Sequence, residues 1–350
     1  MSKINDIIEY ARKSRCSDVH LTAKLPPVFR TNGEIIVSDL SFTKPEIEEI
    51  ILSMLDEKQL EKVNNTQDID FCYTLPNGMR QRVNVYHQNK ELCSAIRILN
   101  DEIPTFESLG LPSVIQKLSE EPRGLILVTG PTGSGKSTTL AAMIDYINRT
   151  RRCHILTAED PIEYLHTHKN SIVHQREVGV DVDSFAGALR SALREDPDVI
   201  LVGEMRDLET ISAAITAAET GHLVLSTLHT TGAASTIDRI IDVFPSHSQS
   251  QIRTQLSSVL KGVVTQQLLP LADGSGRTPA FEIMVGTDAV LSLIRENKCH
   301  QINSSLQTGA KEGMCSLNAD LAKLVKQNKV TMDEALKKAS DKNEFFQMLG

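Results

Sequence analysis

The chain has 350 residues, with 37 lysines and arginines against 45 acidic residues, and its formal net charge is −8. Because a single hydrophobic core stops growing at about 250 to 300 residues, this length predicts about two domains. The acidic balance provides no overall attraction to nucleic acid, so any anion site must be local. The sequence shows neither a signal-peptide core nor an apolar run of the roughly 20 residues that span a bilayer, and we expect a cytoplasmic protein.

The first hundred residues are predicted to form a small antiparallel α+β domain. Apolar residues recur at helical spacing over 3–14 and over 43–56, and the second of these helices begins with a capping box. Between 70 and 99 the pattern changes to three strands, the first two of which are joined by a Pro-Asn-Gly turn. Arg82 lies on the second of these strands and Arg97 on the third.

The segment 101–111 includes polar residues and a proline, and it is predicted to link two domains. Beyond it, short apolar strands alternate with helical segments, which predicts a mostly parallel sheet. The predicted strands cover residues 124–129, 154–158, 199–203 and 222–228. After about residue 284 the pattern becomes helical. The chain is therefore predicted to have an α+β domain over 1–100 and an α/β domain with a helical C-terminal tail over 112–350.

The segment Gly130–Ser137 matches every fixed position of the phosphate-binding P-loop and stands between a strand and a helix, as that motif requires. Its backbone N–H groups surround phosphate oxygens, Lys136 reaches the β- and γ-phosphates, and the Ser137 hydroxyl can ligate Mg²⁺. The predicted nucleotide-binding residues are Gly130, Thr132, Gly133, Ser134, Gly135, Lys136, Ser137 and Thr138. The alternative is a glycine-rich turn that binds nothing, and such a turn rarely matches the whole motif. The sequence therefore predicts binding of ATP with Mg²⁺.

Acidic residues follow two of the predicted parallel strands, at the edge where open α/β sheets bind their ligands. The third strand resembles a Walker B motif in which Gly203 replaces the usual Asp, so we expect Glu204 to be the metal-side carboxylate. The second strand ends in Glu159, Asp160 and Glu163, of which we favour Glu163 for polarising the attacking water. The alternative for such acids is that they cap helices or lie in solvated turns.

Histidine and arginine side chains could complete this site. His229 follows the strand predicted over 222–228 and is placed to sense a γ-phosphate, whereas His222 begins that strand and is equally expected to be structural or an interface residue. Hydrolysis also needs further positive charge on the phosphoryl group, which an arginine of another subunit or domain can supply. Arg82 and Arg97 are candidates for this role. The alternative is that both are surface arginines on a half-exposed sheet.

Four ordered motifs make the chain resemble the secretion-superfamily ATPases. They are the Walker A motif at Gly130–Ser137, the Asp box at Glu159–Tyr164, the Walker B region at Leu193–Asp207 and the His box at His222–His229. Within that superfamily, the chain is similar to the type IV pilus retraction ATPases over nearly its whole length. The segment Ser17–Leu21 and the Arg82–Asn84 run are also typical of them. The chain lacks the tetracysteine zinc site of pilus-extension and type II secretion motors, which favours retraction.

The resemblance implies a PAS-like N-terminal domain, a RecA-like P-loop ATPase domain and a homohexameric ring. By the same likeness, Glu163 and Glu204 match the catalytic glutamates of the Asp box and Walker B motif, and His229 matches the His-box histidine. Arg82 and Arg97 match the N-terminal-domain arginines that face the phosphates.

The implied function is that of an ATP-hydrolysing hexameric motor for pilus retraction and twitching motility. The implied partners are an inner-membrane platform protein and the pilus base, without nucleic acid. The implied location is the inner face of the cytoplasmic membrane, with attachment only through partners.

One segment departs from the retraction family. That family carries Ala-Ile-Arg-Asn-Leu-Ile-Arg-Glu, whereas Ala289–Glu296 has Leu291 in place of the first arginine. A pilus-assembly or type II secretion ATPase therefore stays an alternative. A RecA-like nucleic-acid translocase is disfavoured by the acidic balance and by the lack of tryptophan for base stacking. A P-loop small-molecule kinase is disfavoured because no acceptor lid is recognisable.

Overall fold

The computed structural model describes residues 2–31, 33–99 and 102–350. These fold as two compact units. The first unit takes the chain up to Glu102 together with residues 161–165, and the second takes residues 103–160 and 166–350. The grouping of residues 161–165 with the first unit was not predicted, because so short a segment has no periodicity of its own. Asp101, where the predicted linker begins, lies outside the described residues.

The first unit is built on a six-stranded sheet in which every paired neighbour is antiparallel. Its helices are α1 (Lys3–Lys13), α2 (Lys44–Leu52) and α3 (Glu57–Asn64). Its strands are β1 (Asp18–Leu21), β2 (Val28–Thr31), β3 (Glu34–Val37), β4 (Ile69–Thr74), β5 (Arg80–Gln88) and β6 (Glu91–Ile98). The strand order is β3-β2-β1-β6-β5-β4.

The core of this unit lies on one face of the sheet. The apolar side chains of α1 and α2, including Ile8 and Ile51, are buried against inward residues of the strands such as Val83. Along β5 the burial alternates, which leaves Arg80 and Arg82 on the opposite, polar face. The three strands predicted over 70–99 are therefore present. Strands β1 to β3 were not predicted, because they are four residues long and β2 and β3 do not alternate in burial.

The second unit alternates strands and helices. Before its sheet come α4 (Phe106–Leu109) and α5 (Ser113–Ser119). The alternating part contains β7 (Gly124–Thr129), α6 (Lys136–Thr150), β8 (His154–Glu159), β9 (Ile172–Glu177), α7 (Phe185–Ala192), β10 (Val199–Val202), α8 (Leu208–Glu219), β11 (Leu223–Leu228), α9 (Ala233–Asp242), α10 (Gln249–Val259), β12 (Leu260–Pro270) and β13 (Arg277–Val285). The C-terminal part contains α11 (Asp288–Arg295), α12 (Ile302–Thr308), α13 (Leu317–Lys326), α14 (Met332–Lys338) and α15 (Lys342–Leu349), with short 3₁₀ turns at Cys299–Gln301 and Ala310–Glu312.

The sheet of this unit has seven strands in the order β13-β12-β7-β11-β10-β8-β9. All neighbours pair in parallel except β13, which pairs with β12 in an antiparallel hairpin. The predicted mostly parallel sheet is confirmed. The strand that leads into the P-loop, β7, lies inside the sheet, and β11 separates it from β10.

Helices cover both faces of this sheet, as expected because central strands such as β7 are apolar and buried along their whole length. On one face, α5 and α6 pack against Ile126 and Val128 of β7. On the other face, α8, α9 and α10 pack against Leu125 and Leu127. The C-terminal helices α13 to α15 form a smaller cluster with Leu269. Within the described ranges, no helix is long and apolar enough to cross a membrane.

Candidate nucleotide-binding site

The loop between β7 and α6 adopts a backbone that only glycine takes easily. Gly130, Gly133 and Gly135 have φ values of 140°, 77° and 90°. Gly130 is also constrained by space, because a Cβ there would lie 2.2 Å from the main-chain oxygen of Gln266. The fixed glycines of the motif therefore meet a conformational need and, at Gly130, a steric one.

Lys136 opens helix α6 and is buried, with 8% of its surface exposed. Its Nζ donates to the carbonyl oxygens of Gly130, at 2.8 Å, and of Pro131, at 3.1 Å. The ammonium group therefore folds back over the start of its own loop, at the positive end of the helix dipole. This arrangement concentrates N–H groups and positive charge where the motif predicts phosphate.

The hydroxyl groups of the loop differ in exposure. Thr132 and Ser137 are exposed, and Thr138 is half-buried. Ser134 is buried, and its Oγ has no hydrogen-bond partner among the residues that the structure describes. Because buried hydroxyl groups normally form hydrogen bonds, this one is available to bond to a polar ligand in the loop.

Glu204 follows β10 and is brought next to His229, which follows β11. Glu204 Oε2 lies 3.5 Å from His229 Nε2, and Glu204 Oε1 lies 2.7 Å from Arg206 Nε. The carboxylate is mostly buried, with 21% of its side chain exposed, whereas the side chains of both partners are more exposed. Two residues that were predicted to belong to the site therefore lie close enough to interact.

The structure explains why glycine precedes Glu204. A Cβ at Gly203 would lie 3.2 Å from the ring of Phe185 and 3.3 Å from the carbonyl oxygen of Ala158. The Gly203 N–H donates to that same carbonyl at 2.8 Å, and Thr227 Oγ1 donates to the Gly203 carbonyl at 2.6 Å. The aspartate that many related motifs carry here would require the Phe185 ring and the Ala158 carbonyl to move by a few tenths of an ångström.

The P-loop, Glu204 and His229 share one edge of the sheet. Thr129 at the end of β7 pairs with Leu228 at the end of β11, which is parallel to β10. His222 lies at the opposite edge, where its Nδ1 is 2.9 Å from the carbonyl oxygen of Ala217. The structure thus separates the two histidines of the motif and places only His229 on the P-loop side.

The three acids at and just after the end of β8 have different surroundings. Glu159 accepts hydrogen bonds from Thr157 Oγ1, at 2.6 Å, and from Gln175 Nε2, at 3.1 Å. Asp160 is exposed. Glu163 is half-buried and lies in the segment 161–165 that groups with the first unit. Glu159 is thus held by side chains of its own sheet, while the role assigned to Glu163 stays a prediction.

Arg82 and Arg97 lie directly opposite each other on the neighbouring strands β5 and β6. Each has an acidic partner. Arg82 makes a bidentate ion pair with Asp70, whose shortest distance is 2.6 Å, and Arg97 Nε lies 3.1 Å from Asp18 Oδ1. Like charges directly opposite in a sheet repel, and the two aspartates offset this repulsion. The structure therefore brings the two predicted arginines together on the polar face of the first unit.

Two buried polar residues of the β12–β13 hairpin contact the site region and were missed by sequence reasoning. Gln266 on β12 bonds to the P-loop, and Glu282 on β13 bonds to the start of α9, just after the His229 loop. The signal that could have found them is a polar side chain within an apolar strand, as in Val263-Val264-Thr265-Gln266 and Ala280-Phe281-Glu282-Ile283.

Glu282 joins the beginnings of two helices. Its Oε1 accepts from the N–H of Ala233 at 2.7 Å, and the N–H of Leu317 also bonds to its carboxylate. Burial raises the pKa of Glu282 above its usual value, and these two backbone hydrogen bonds oppose that rise. The residue therefore fixes α9, and with it the loop that carries His229, to the C-terminal helix α13.

The chain is similar to known proteins over nearly its whole length. The family model described as "Type II/IV secretion system protein" matches residues 1–348. The chain belongs to this family. Among curated proteins, it is 47% identical to the type IV pilus retraction ATPase PilT of Pseudomonas aeruginosa, over 98% of this chain and 99% of that protein. It is 48% identical to the twitching motility protein of Neisseria gonorrhoeae, over 90% of this chain and 84% of that protein.

A solved structure supports the family membership. The crystal structure of the pilus retraction motor PilT with bound ADP matches this member of the type II/IV secretion family with a TM-score of 0.92. The match covers 99% of both chains at 48% identity. The predicted α/β class, with an ATPase domain of RecA-like type, a small N-terminal α+β domain and C-terminal helices, is thereby confirmed.

Proposed function

We propose that this protein is an ATP-hydrolysing motor that powers type IV pilus retraction. The observation that carries the proposal is the convergence of a complete P-loop, Glu204 and His229 at one edge of a parallel sheet, in a chain similar to a retraction ATPase over its whole length. Open α/β sheets bind ligands at this edge, beyond the carboxyl ends of their strands.

The P-loop residues are proposed to bind the triphosphate. The positive-φ glycines turn backbone N–H groups inward, and Lys136 exchanges its two carbonyl partners for phosphate oxygens. The Ser134 hydroxyl, which has no hydrogen-bond partner within the described part of the chain, fits the same ligand. Ser137, exposed in the first turn of α6, and Glu204 offer hydroxyl and carboxylate oxygens, the hard ligands that Mg²⁺ prefers. When bound, Mg²⁺ would neutralise charge on the phosphates.

The acidic residues and the histidine are proposed to act on the γ-phosphate side of the site. Glu163 orients and polarises the attacking water, as the Asp-box likeness implies. Glu204 holds the metal side, and its contact with His229 fixes the imidazole next to the place where the γ-phosphate is expected. Arg82 and Arg97 supply the additional positive charge that phosphoryl transfer requires.

The proposal extends to assembly and place in the cell. We propose a homohexamer that works at the inner face of the cytoplasmic membrane, where it acts on an inner-membrane platform protein at the pilus base and does not bind nucleic acid. In this proposal, contact with the membrane is made through the partners.

One experiment tests the motor directly. Mg·ATP hydrolysis per protomer is measured across a protein dilution series, with the molecular mass recorded by light scattering at each concentration. We expect the specific activity to rise as a hexamer-sized species forms. Full activity of a monomer or dimer at every dilution would exclude an assembly-dependent motor.

A pilus-assembly or secretion ATPase is the second candidate, and the segment Ala289–Glu296 favours it. Leu291, which replaces the arginine of the retraction motif, is half-buried and packs against the core beside Val290 and Ile294. The test is expression in a pilated strain that lacks its retraction ATPase. Restored twitching supports retraction. Unrestored twitching with increased surface pili supports assembly instead.

A further inference from the structure

Gln266 is a buried amide that holds the P-loop from the neighbouring strand. It is 1% exposed, and its two polar atoms have different partners. Nε2 donates to the carbonyl oxygen of Ser134 at 2.6 Å, and Oε1 accepts from Thr139 Oγ1 at 2.9 Å. The Ser134 carbonyl can only accept, so the amide orientation follows from the chemistry of its partners.

The register of the sheet places Gln266 beside the loop. Thr265 pairs with Thr129, the last residue of β7, so Gln266 lies level with Gly130. A Cβ at Gly130 would lie 2.2 Å from the Gln266 main-chain oxygen, and a Cβ at Gly135 would lie 3.0 Å from Nε2. The main chain of Gln266 therefore lies against the beginning of the loop at Gly130. Its side chain lies against the end of the loop at Gly135.

We propose that Gln266 is a positioning residue, which keeps the P-loop in its phosphate-binding shape before nucleotide arrives. This inference rests on the proposed function, in which the loop binds a nucleoside triphosphate. The positive-φ glycines give the loop many alternative conformations when it is not held, and ordering them would oppose binding. The amide bonds both to Ser134 in the middle of the loop and to Thr139 in helix α6. It therefore restricts movement of the loop relative to the helix.

The strand offers a matched control. Gln267 is the next residue, points to the other side of the sheet and is half-buried. Gln266→Leu and Gln267→Leu make the same chemical change one position apart. Thr139→Val removes only the bond from α6 and leaves the donor to Ser134 in place.

The experiment measures two quantities on the full-length protein. The first is amide hydrogen exchange of peptides covering residues 130–137 without nucleotide, and the second is the Kd of a fluorescent ADP analogue. We expect Gln266→Leu to exchange faster in this loop and to bind about tenfold more weakly, because two buried hydrogen bonds are lost. Thr139→Val should weaken binding about two- to threefold, and Gln267→Leu should match the wild type in both measurements. Melting temperatures of the variants within a few degrees of one another would show that the fold is retained.

Unchanged loop exchange or unchanged affinity in Gln266→Leu would overturn the inference, provided that the wild type binds the probe. An equal loss of affinity in Gln267→Leu would overturn it as well, since the effect would then belong to the strand as a whole. A wild-type protein that binds no nucleotide would instead refute the proposed function. Turnover at saturating ATP gives a further readout, which should fall less than the affinity because the catalytic groups are intact.

Discussion

The imidazole of His229 lies 3.5 Å from the carboxylate of Glu204, although β11 and β10 deliver the two residues separately. A hydrogen bond between the two strand ends stabilises this contact, because the hydroxyl of Thr227, two residues before His229, donates to the carbonyl of Gly203, which directly precedes Glu204. Because of these two contacts, movement of one loop should shift the other loop as well. We expect the two residues to respond together to the γ-phosphate.

Replacement of Glu204 by glutamine should nearly abolish hydrolysis while sparing ATP binding. The change keeps the shape of the side chain but removes the negative charge of the carboxylate that is proposed to bind Mg²⁺. We therefore expect kcat to fall by at least about a hundredfold. Steady-state hydrolysis and nucleotide binding measured on the same preparation test this. Arg206→Ala, which removes the more exposed partner of Glu204, is the control and should retain most of the activity. Normal turnover in Glu204→Gln would remove this residue from the site.

His229→Asn should lower kcat by about ten- to hundredfold, the range expected when the proposed hydrogen bond from the imidazole to the γ-phosphate is lost. The KM for ATP should change little, because the P-loop contacts are untouched. His222→Asn is the matched control at the other end of β11, where the side chain contacts the carbonyl of Ala217. An equal loss of activity in the two variants would contradict the assignment of His229, and not His222, to the γ-phosphate side of the site.

Arg82→Ala should reduce hydrolysis about a thousandfold and leave nucleotide binding intact, as expected for an arginine that acts on the transferring phosphoryl group. The ion pair with Asp70 is half-exposed, so its loss should cost little stability. Arg80→Ala, on the same strand and face, controls for the removal of an arginine. Comparison of kcat, Kd and melting temperature across these variants tests the assignment, and turnover of Arg82→Ala at the wild-type rate would contradict it.

His166 should make the fold sensitive to mild acid. Burial lowers the pKa of His166 from 6.5 to about 4, and its Nδ1 is buried without a partner among the described residues. Above pH 6.5 the folded and unfolded states both hold the neutral ring. As the pH falls towards 4, the unfolded chain binds a proton that the folded chain refuses, so stability is lost.

The size of this effect can be measured by urea unfolding at pH 7 and pH 5. Between pH 7 and pH 5, His166 is expected to lower the free energy of unfolding by up to about 2 kcal/mol. His166→Asn should therefore lose less free energy of unfolding than the wild type between these two values. His247→Asn, at an exposed position, controls for the loss of a histidine. Equal losses in the wild type and His166→Asn would show that His166 takes up its proton without unfolding.

The sequence predicted the parts of the second unit that follow from local pattern. The strands β7, β8, β10 and β11 are short apolar runs, and the P-loop has fixed spacing, so each could be read without tertiary information. The positions of Glu204 and His229 followed because parallel strands end at a common edge. Their chemical roles stay predictions, since proximity alone does not define a reaction.

Long-range contacts could not be predicted in this way. Gln266 reaches Ser134 across 132 residues of sequence, and Glu282 reaches Ala233 across 49. No periodicity encodes such pairs, because they depend on which strands become neighbours in the sheet. The grouping of residues 161–165 with the first unit has the same origin, since it depends on tertiary packing and not on local pattern.

The close approach of Phe185 to Gly203 also limits how this protein can change. In a lineage that lost Glu204 and placed aspartate one position earlier, the new Cβ would lie 3.2 Å from the Phe185 ring and 3.3 Å from the Ala158 carbonyl oxygen, so these neighbours would have to shift by a few tenths of an ångström. A smaller residue at 185 would relieve the contact with the ring, but that step alone would open a gap beside the sheet. Suppressors of Glu204 loss that place aspartate at 203 should therefore be strongest when position 185 is also smaller.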